Sequence, residues 1–125
     1  MSDYNAENNL IVWADVAVID LDRAIEFYSK VLNKQFEKKT MGEVTFAVSE
    51  HDKGNGICLI IDPEHVSNDG PLLYFNVGSR IEEATNVAVD LGGSINQPVT
   101  PIGPYGFRSI IIDSEGNRIG LHAKA

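Results

Sequence analysis

Apolar residues recur along this chain in two rhythms, and the rhythms come in the same order twice. The stretch LIVWADVAVI (10–19) is mostly apolar and bounded by polar residues, which predicts a strand. Asp20 follows as an expected helix cap. Behind it Ala24, Phe27, Tyr28, Val31 and Leu32 fall at the spacing of one helix face, and Asn33 is placed to end the helix in a left-handed conformation. Three shorter stretches, KQFEKK, EVTFAVS and ICLIID, predict strands separated by turns at Met41-Gly42 and Lys53–Gly56. PLLYFNV (71–77) then begins the same order again. Ser79 and Glu82 have the spacing of a capping box, Ile81, Ala84, Ala88 and Leu91 form an apolar stripe, and Gly92-Gly93 ends the helix. SINQPV, FRSIIID and RIGLHA are the closing strands, and TPIGPYG (100–106) reads as a loop.

The two halves also match in residues. Asp20 and Ser79, the two expected caps, occupy equivalent places, as do Val18 and Val77, and GNGICL (54–59) overlies GNRIGL (116–121). The expectation is therefore an α+β fold of two tandem β-α-β-β-β modules, residues 10–62 and 71–124, forming a curved mixed sheet around a cleft. Residues 10–124 form one domain, and Met1–Asn9 are polar and aperiodic, read as a flexible tail.

Composition narrows the function classes. The chain has 125 residues and 43% hydrophobic content, enough for one core without disulfides. Its single cysteine, Cys58, and the lack of a charged-then-apolar leader suggest a cytoplasmic protein. No apolar run approaches a membrane span. The net charge is -8, from 18 acidic and 10 basic residues, so nucleic acid is not an expected partner. A cationic small ligand is permitted.

Alternate residues of a strand share a face. Trp13, Asp15 and Ala17 share one, Leu72, Tyr74 and Asn76 another, and Gly120 and His122 a third. Asp15, Tyr74 and Asn76 are polar positions inside apolar strands, where burial without partners costs a few kcal/mol each. They either bond one another or face a wet pocket. Trp13 either stacks on a ligand or plugs the cleft. Cys58 reads as a small buried hydrophobe. His122 is either a general base, a ligand contact or an edge histidine, and His51 and His65 are expected in solvent-exposed loops.

DLDRAIEFYSKVLN (20–33) and DSEGNRIGLHA (113–123), together with GPLLYFNV, resemble the signatures of the vicinal oxygen chelate superfamily, the glyoxalase, bleomycin-resistance and extradiol-dioxygenase group. The resemblance runs from Leu10 to Ala123. Metal-dependent members of that family place one ligand in each of four strands. The equivalent positions here carry Trp13, Cys58, Leu72 (or Pro71) and Gly120. Indole, isobutyl and glycine offer no donor, and a lone thiol does not hold a divalent ion. The resemblance thus implies a superfamily member that lacks the usual metal ligands and has no cofactor. It binds a small molecule in the sheet cleft through Trp13, Asp15, Cys58, Leu72, Tyr74, Asn76, Gly120 and His122, and it forms a homodimer. The alternative is a metal-dependent lyase, isomerase or dioxygenase using non-standard ligands, for which Asp15, Cys58 and His122 are the available donors. A binding domain with a closed cavity is the third reading.

Overall fold

The computed structural model describes residues 9–51 and 54–124. The expected tail therefore lies outside the described residues except for Asn9, and so does Lys53 of the expected turn. Eight strands and two helices follow in the order β1 (Ala14–Val18), α1 (Leu21–Leu32), β2 (Phe36–Met41), β3 (Val44–Ser49), β4 (Ile57–Ile61), β5 (Tyr74–Asn76), α2 (Ile81–Asp90), β6 (Ser94–Pro101), β7 (Phe107–Ile112) and β8 (Arg118–Ala123). They form two four-stranded mixed sheets, β1-β4-β3-β2 and β5-β8-β7-β6, so each half is one β-α-β-β-β module with its own sheet. β1 pairs parallel with β4 and β5 with β8, and the remaining pairs are antiparallel. The hydrogen bonding thus divides into two sheets where the sequence suggested one curved sheet.

Helix α1 follows its sequence pattern closely. The Asp20 carboxylate accepts from the Arg23 backbone N–H at 3.1 Å, and Asn33 ends the helix at φ 54°. Its buried face is Leu21, Ala24, Phe27, Tyr28, Val31 and Leu32, packed on the inner side of both sheets. Burying a side chain such as Phe27 is worth roughly 1.5–3 kcal/mol. Tyr28 lies against Phe75 of the second module, with ring centroids 5.9 Å apart. The core is therefore common to both modules, joining Val16, Val18, Ala47 and Leu59 to Val77, Ala84, Ile111, Ile119 and Leu121.

Helix α2 departs from its expected start. Ser79 does not cap it: the cap is Arg80, with no side-chain bond to the helix backbone. The Arg80 N–H bonds the Val77 carbonyl at 3.1 Å, so Gly78 and Ser79 are spent inside a turn and the helix begins one residue too late for the box. Thr85, absent from the expected stripe, is buried, its hydroxyl donating to the Ile81 carbonyl at 2.6 Å and lying 2.8 Å from the Ser109 hydroxyl. Leu91 is only half-buried.

Several strand limits also shift. β1 starts at Ala14, leaving Trp13 just before it, and Leu10 and Ile11 are exposed. β5 is three residues long, so Leu72 precedes it. β6 runs on through Thr100 and Pro101, part of the expected loop. It is the edge strand of its sheet, where proline removes no ladder bond, and its register shifts between Ile95 and Gln97 and again before Thr100.

Candidate functional site

Strand registers place the candidate side chains in rows. On the face of the first sheet away from α1, Asp15, Cys58, Val48 and Glu37 lie side by side across four strands. On the corresponding face of the second sheet, Tyr74, Gly120 and Ile110 form one row and Asn76, His122 and Arg108 the next. Cys58 and Val48 are buried on this face, as are Gly120 and Ile110.

In the first module the indole N–H of Trp13 donates to an Asp15 carboxylate oxygen at 3.2 Å. His51 meets Trp13 edge to face, with centroids 5.6 Å apart, and its Nδ1 lies 2.8 Å from the Ser49 carbonyl. His51 is thus half-buried under the indole, which corrects the expectation of a solvent-exposed loop histidine. The Cys58 thiol is pushed up to about 11, by burial first and then by the Asp15 carboxylate paired beside it on β1. A thiol held this firmly protonated is a poor nucleophile and a poor metal ligand.

In the second module the Tyr74 ring lies against Gly120. A Cβ at position 120 would stand 2.6 Å from Tyr74 Cδ1 and 2.8 Å from Cε1, so the space where a side chain would begin is filled by the ring. The Tyr74 hydroxyl accepts from Arg108 Nη1 at 2.8 Å. His122 Nε2 is 2.7 Å from the Tyr105 carbonyl, which ties the end of β8 to the loop before β7. Asn76 is committed locally, its side-chain oxygen accepting from the Gly78 N–H at 2.9 Å.

Among the described residues, cavities open where the modules meet. One, of about 450 Å³, is lined by Asp15, Ala17 and Ile60 from the first module and by Leu73, Arg118 and Ile119 from the second. Another, of about 540 Å³, brings His51 and Asn55 against Asn76 and Gly78. The first cavity thus lies between β1 and the start of β8, and the second between the loop before β4 and the turn after β5. The structure brings Trp13, Asp15 and Cys58 together, and separately Tyr74 with Gly120 and Asn76 with His122. Leu72 is half-buried between Pro71 and Leu73, both of which line the first cavity.

Among the described residues no three His, Cys, Asp or Glu side chains cluster so as to hold an ion. Asp15 accepts from Trp13, and the Gly120 position is covered by an aromatic ring.

The quoted signature stretches, by contrast, meet each other. Asp113 Oδ1 accepts from the backbone N–H groups of Glu115, Gly116 and Asn117 at 2.8–2.9 Å, and its other oxygen accepts from the Tyr28 hydroxyl and Asn117 Nδ2. Glu115 Oε1 accepts from the N–H of Ile19 at 2.9 Å and of Asp20 at 2.7 Å, and its Oε2 from Arg23 Nε at 2.6 Å. Asn117 Nδ2 also donates to the Ala17 carbonyl at 2.8 Å. The two motifs form a clasp between modules, away from the strand faces described above.

The comparisons with known proteins agree with this architecture. No curated protein matches the sequence. Solved structures share the fold at low identity. A glyoxalase/bleomycin resistance protein from Albidiferax ferrireducens T118 is 16% identical, with a TM-score of 0.72 over 94% of this chain and 100% of that one. The fosfomycin resistance protein FosX from Listeria monocytogenes is 17% identical, with a TM-score of 0.70 over 94% of each chain. A glyoxalase I mutant from Zea mays is 20% identical, with a TM-score of 0.69 over 90% of this chain and 46% of that one. The model of one family matches residues 10–121, nearly the whole of both modules, and by that match the chain belongs to the Glyoxalase/Bleomycin resistance protein/Dioxygenase superfamily.

Proposed function

We propose that this chain is a small-molecule-binding member of its superfamily that works without the family's metal centre, as a cytoplasmic homodimer. The ligand lies along the paired strand faces, contacted by Trp13, Asp15, Leu72, Tyr74, Asn76 and His122, with Cys58 and Gly120 forming the floor. The observation that carries this reading is the Tyr74 ring packed on Gly120, since an aromatic wall occupies the place from which a metal-binding carboxylate would extend. Flat aromatic surface beside a few polar groups suits recognition of an organic ligand.

The test uses protein purified without chelator. Metal analysis is expected to give far less than one equivalent of divalent ion, and a small-ligand library to contain members that quench or shift the fluorescence of Trp13, the chain's single tryptophan. One tightly held equivalent of metal, lost in Asp15→Ala, would instead establish the metal-dependent lyase, isomerase or dioxygenase. Size-exclusion chromatography with light scattering checks the homodimer, and a monomer at all concentrations removes that part of the proposal.

A further inference from the structure

β1 is an outer strand of its sheet, so one of its edges has no strand beside it. The ladder decides which backbone groups lie along that edge. The Asp62 N–H donates to the Val18 carbonyl at 2.9 Å, which continues the parallel pairing of β1 with β4 past Ile61. In a parallel pair, successive residues turn their N–H and C=O alternately towards the partner and away from it. Ala14, Val16 and Val18 therefore face β4, and Asp15 and Ala17 face outward. Contacts on the open side agree: the Ala17 carbonyl accepts from Asn117 Nδ2 at 2.8 Å, and the Ile19 N–H donates to Glu115 at 2.9 Å. The Asp15 N–H, the Asp15 carbonyl and the Ala17 N–H are left without a hydrogen-bond partner among the described residues.

This open edge is one wall of the cavity of about 450 Å³, which all of Ala14 to Ala17 line. Ile60, Pro71, Leu73 and Ile119 add apolar surface, and the volume suits a small ligand rather than a strand of another protein. The charged lining is balanced: Asp15 and Asp62 against His65 and Arg118. Asp62 is bonded to the His65 ring at 2.8 Å, and Asp15 accepts from the Trp13 indole at 3.2 Å. Arg118 forms no ion pair among the described residues.

We propose that this slot takes a short α-linked peptide, extended along β1 and parallel to it, with its free carboxylate at the Ala17 end. A tripeptide matches the three free groups. The carbonyl of its first residue accepts from the Asp15 N–H, the N–H of its third donates to the Asp15 carbonyl, and its carboxylate accepts from the Ala17 N–H. What lies beyond sets the direction. The next acceptor on the edge, the Ala17 carbonyl, is taken by Asn117, so an added strand stops there. Arg118, the following residue, supplies positive charge that favours a carboxylate at that end and opposes an ammonium. Small and aliphatic lining residues select small apolar side chains on the peptide. The slot shares only Asp15 with the sheet-face site proposed above, and the inference goes beyond that reading.

Three probes test this: the tripeptide Ala-Val-Ala, its C-terminal amide, and the same tripeptide N-methylated at its third residue. Calorimetry measures affinity, and the Asp15 and Ala17 amide resonances in ¹H–¹⁵N spectra report the site. The free tripeptide is expected to bind saturably and to move both resonances. N-methylation removes the donor to the Asp15 carbonyl, and amidation removes the carboxylate. Each should weaken binding about tenfold, the effect of one lost hydrogen bond or charge contact. Arg118→Gln should bring the free acid down to the level of the amide and leave the amide unchanged. Ala17→Pro deletes only an N–H that faces away from β4, a change that an edge strand accommodates, and should weaken the free tripeptide by a similar factor. If neither variant folds, the modified peptides decide the matter on the unaltered protein. Equal binding of the N-methylated peptide overturns the strand-like pose, and equal binding of the amide overturns its direction. Failure of the free tripeptide to bind overturns the slot. So does movement of the two resonances with protein concentration alone, which would mean that a second copy pairs with the edge. None of these failures removes the sheet-face ligand, which the Trp13 fluorescence library tests separately.

Discussion

Glu115 has a side chain with no solvent exposure and accepts five hydrogen bonds from four donor groups. Burial by itself would raise its pKa. The Arg23 guanidinium, the Asp20 and Ile19 N–H groups and the Ser114 hydroxyl outweigh burial and hold the carboxyl at about 2, below its ordinary value of 4.5. A depressed folded-state value contributes stability that is complete above the unfolded value and is lost as pH falls through the folded one. Urea denaturation should therefore show stability declining from about pH 4.5 towards pH 2. Glu115→Gln should cost about 1–3 kcal/mol at neutral pH and flatten that decline. An unchanged acid limb in the variant would place the titration elsewhere. Cys58 gives a second check at this scale. Its thiol stays protonated at neutral pH because burial and Asp15 both oppose the thiolate, so iodoacetamide should label it at pH 8 far more slowly than it labels the unfolded chain. Labelling as fast as in denaturant would contradict the burial of the thiol.

At the scale of elements, Gly120 and Tyr74 form one packing unit. In Gly120→Ala the new methyl meets the ring at 2.6 Å, and Tyr74, half-exposed, has room to swing outward. The expected cost is about 1–3 kcal/mol, with the Arg108–Tyr74 bond broken. Adding Tyr74→Ala should remove most of the penalty specific to residue 120, and a double-mutant cycle showing simple additivity would mean the ring and the glycine do not interact. The same pair illustrates what the sequence makes legible. Parity grouped Tyr74 with Asn76 and Gly120 with His122, because a period of two is a property of any strand. It carried no sign of ring on glycine, which depends on the register between β5 and β8. Helix α1 was readable almost to the residue, since cap, stripe and stop are all local signals. The Ser79 box was not, because a turn closed by Val77 decides where α2 starts. His51 under Trp13 and the pair Arg108–Tyr74 join residues 38 and 34 positions apart, and no local pattern signals such contacts.

For the whole molecule, the sequence repeat correctly implied two equivalent modules but left open how they are joined. The join is the clasp of Glu115 and Asn117 onto β1 and the start of α1, with Tyr28 reaching Asp113 through a core built from both halves. Burial in this core holds the Tyr28 phenol well above its ordinary value, and the neighbouring Asp113 adds to that. Neither module buries its apolar face alone: α1 packs on Phe75 of the second sheet as well as on its own. One cooperative unit is therefore expected. Trp13 fluorescence reports the first module alone, whereas far-UV circular dichroism reports both, and their urea midpoints should coincide. Tyr28→Phe leaves a buried carboxylate oxygen with one donor fewer and should cost about 1–3 kcal/mol. Because the bond spans the modules, the variant should move both probes to lower urea together. If the fluorescence midpoint moved while the dichroism split into two steps, the modules would be separate folding units and the signature motifs would need a role other than joining them.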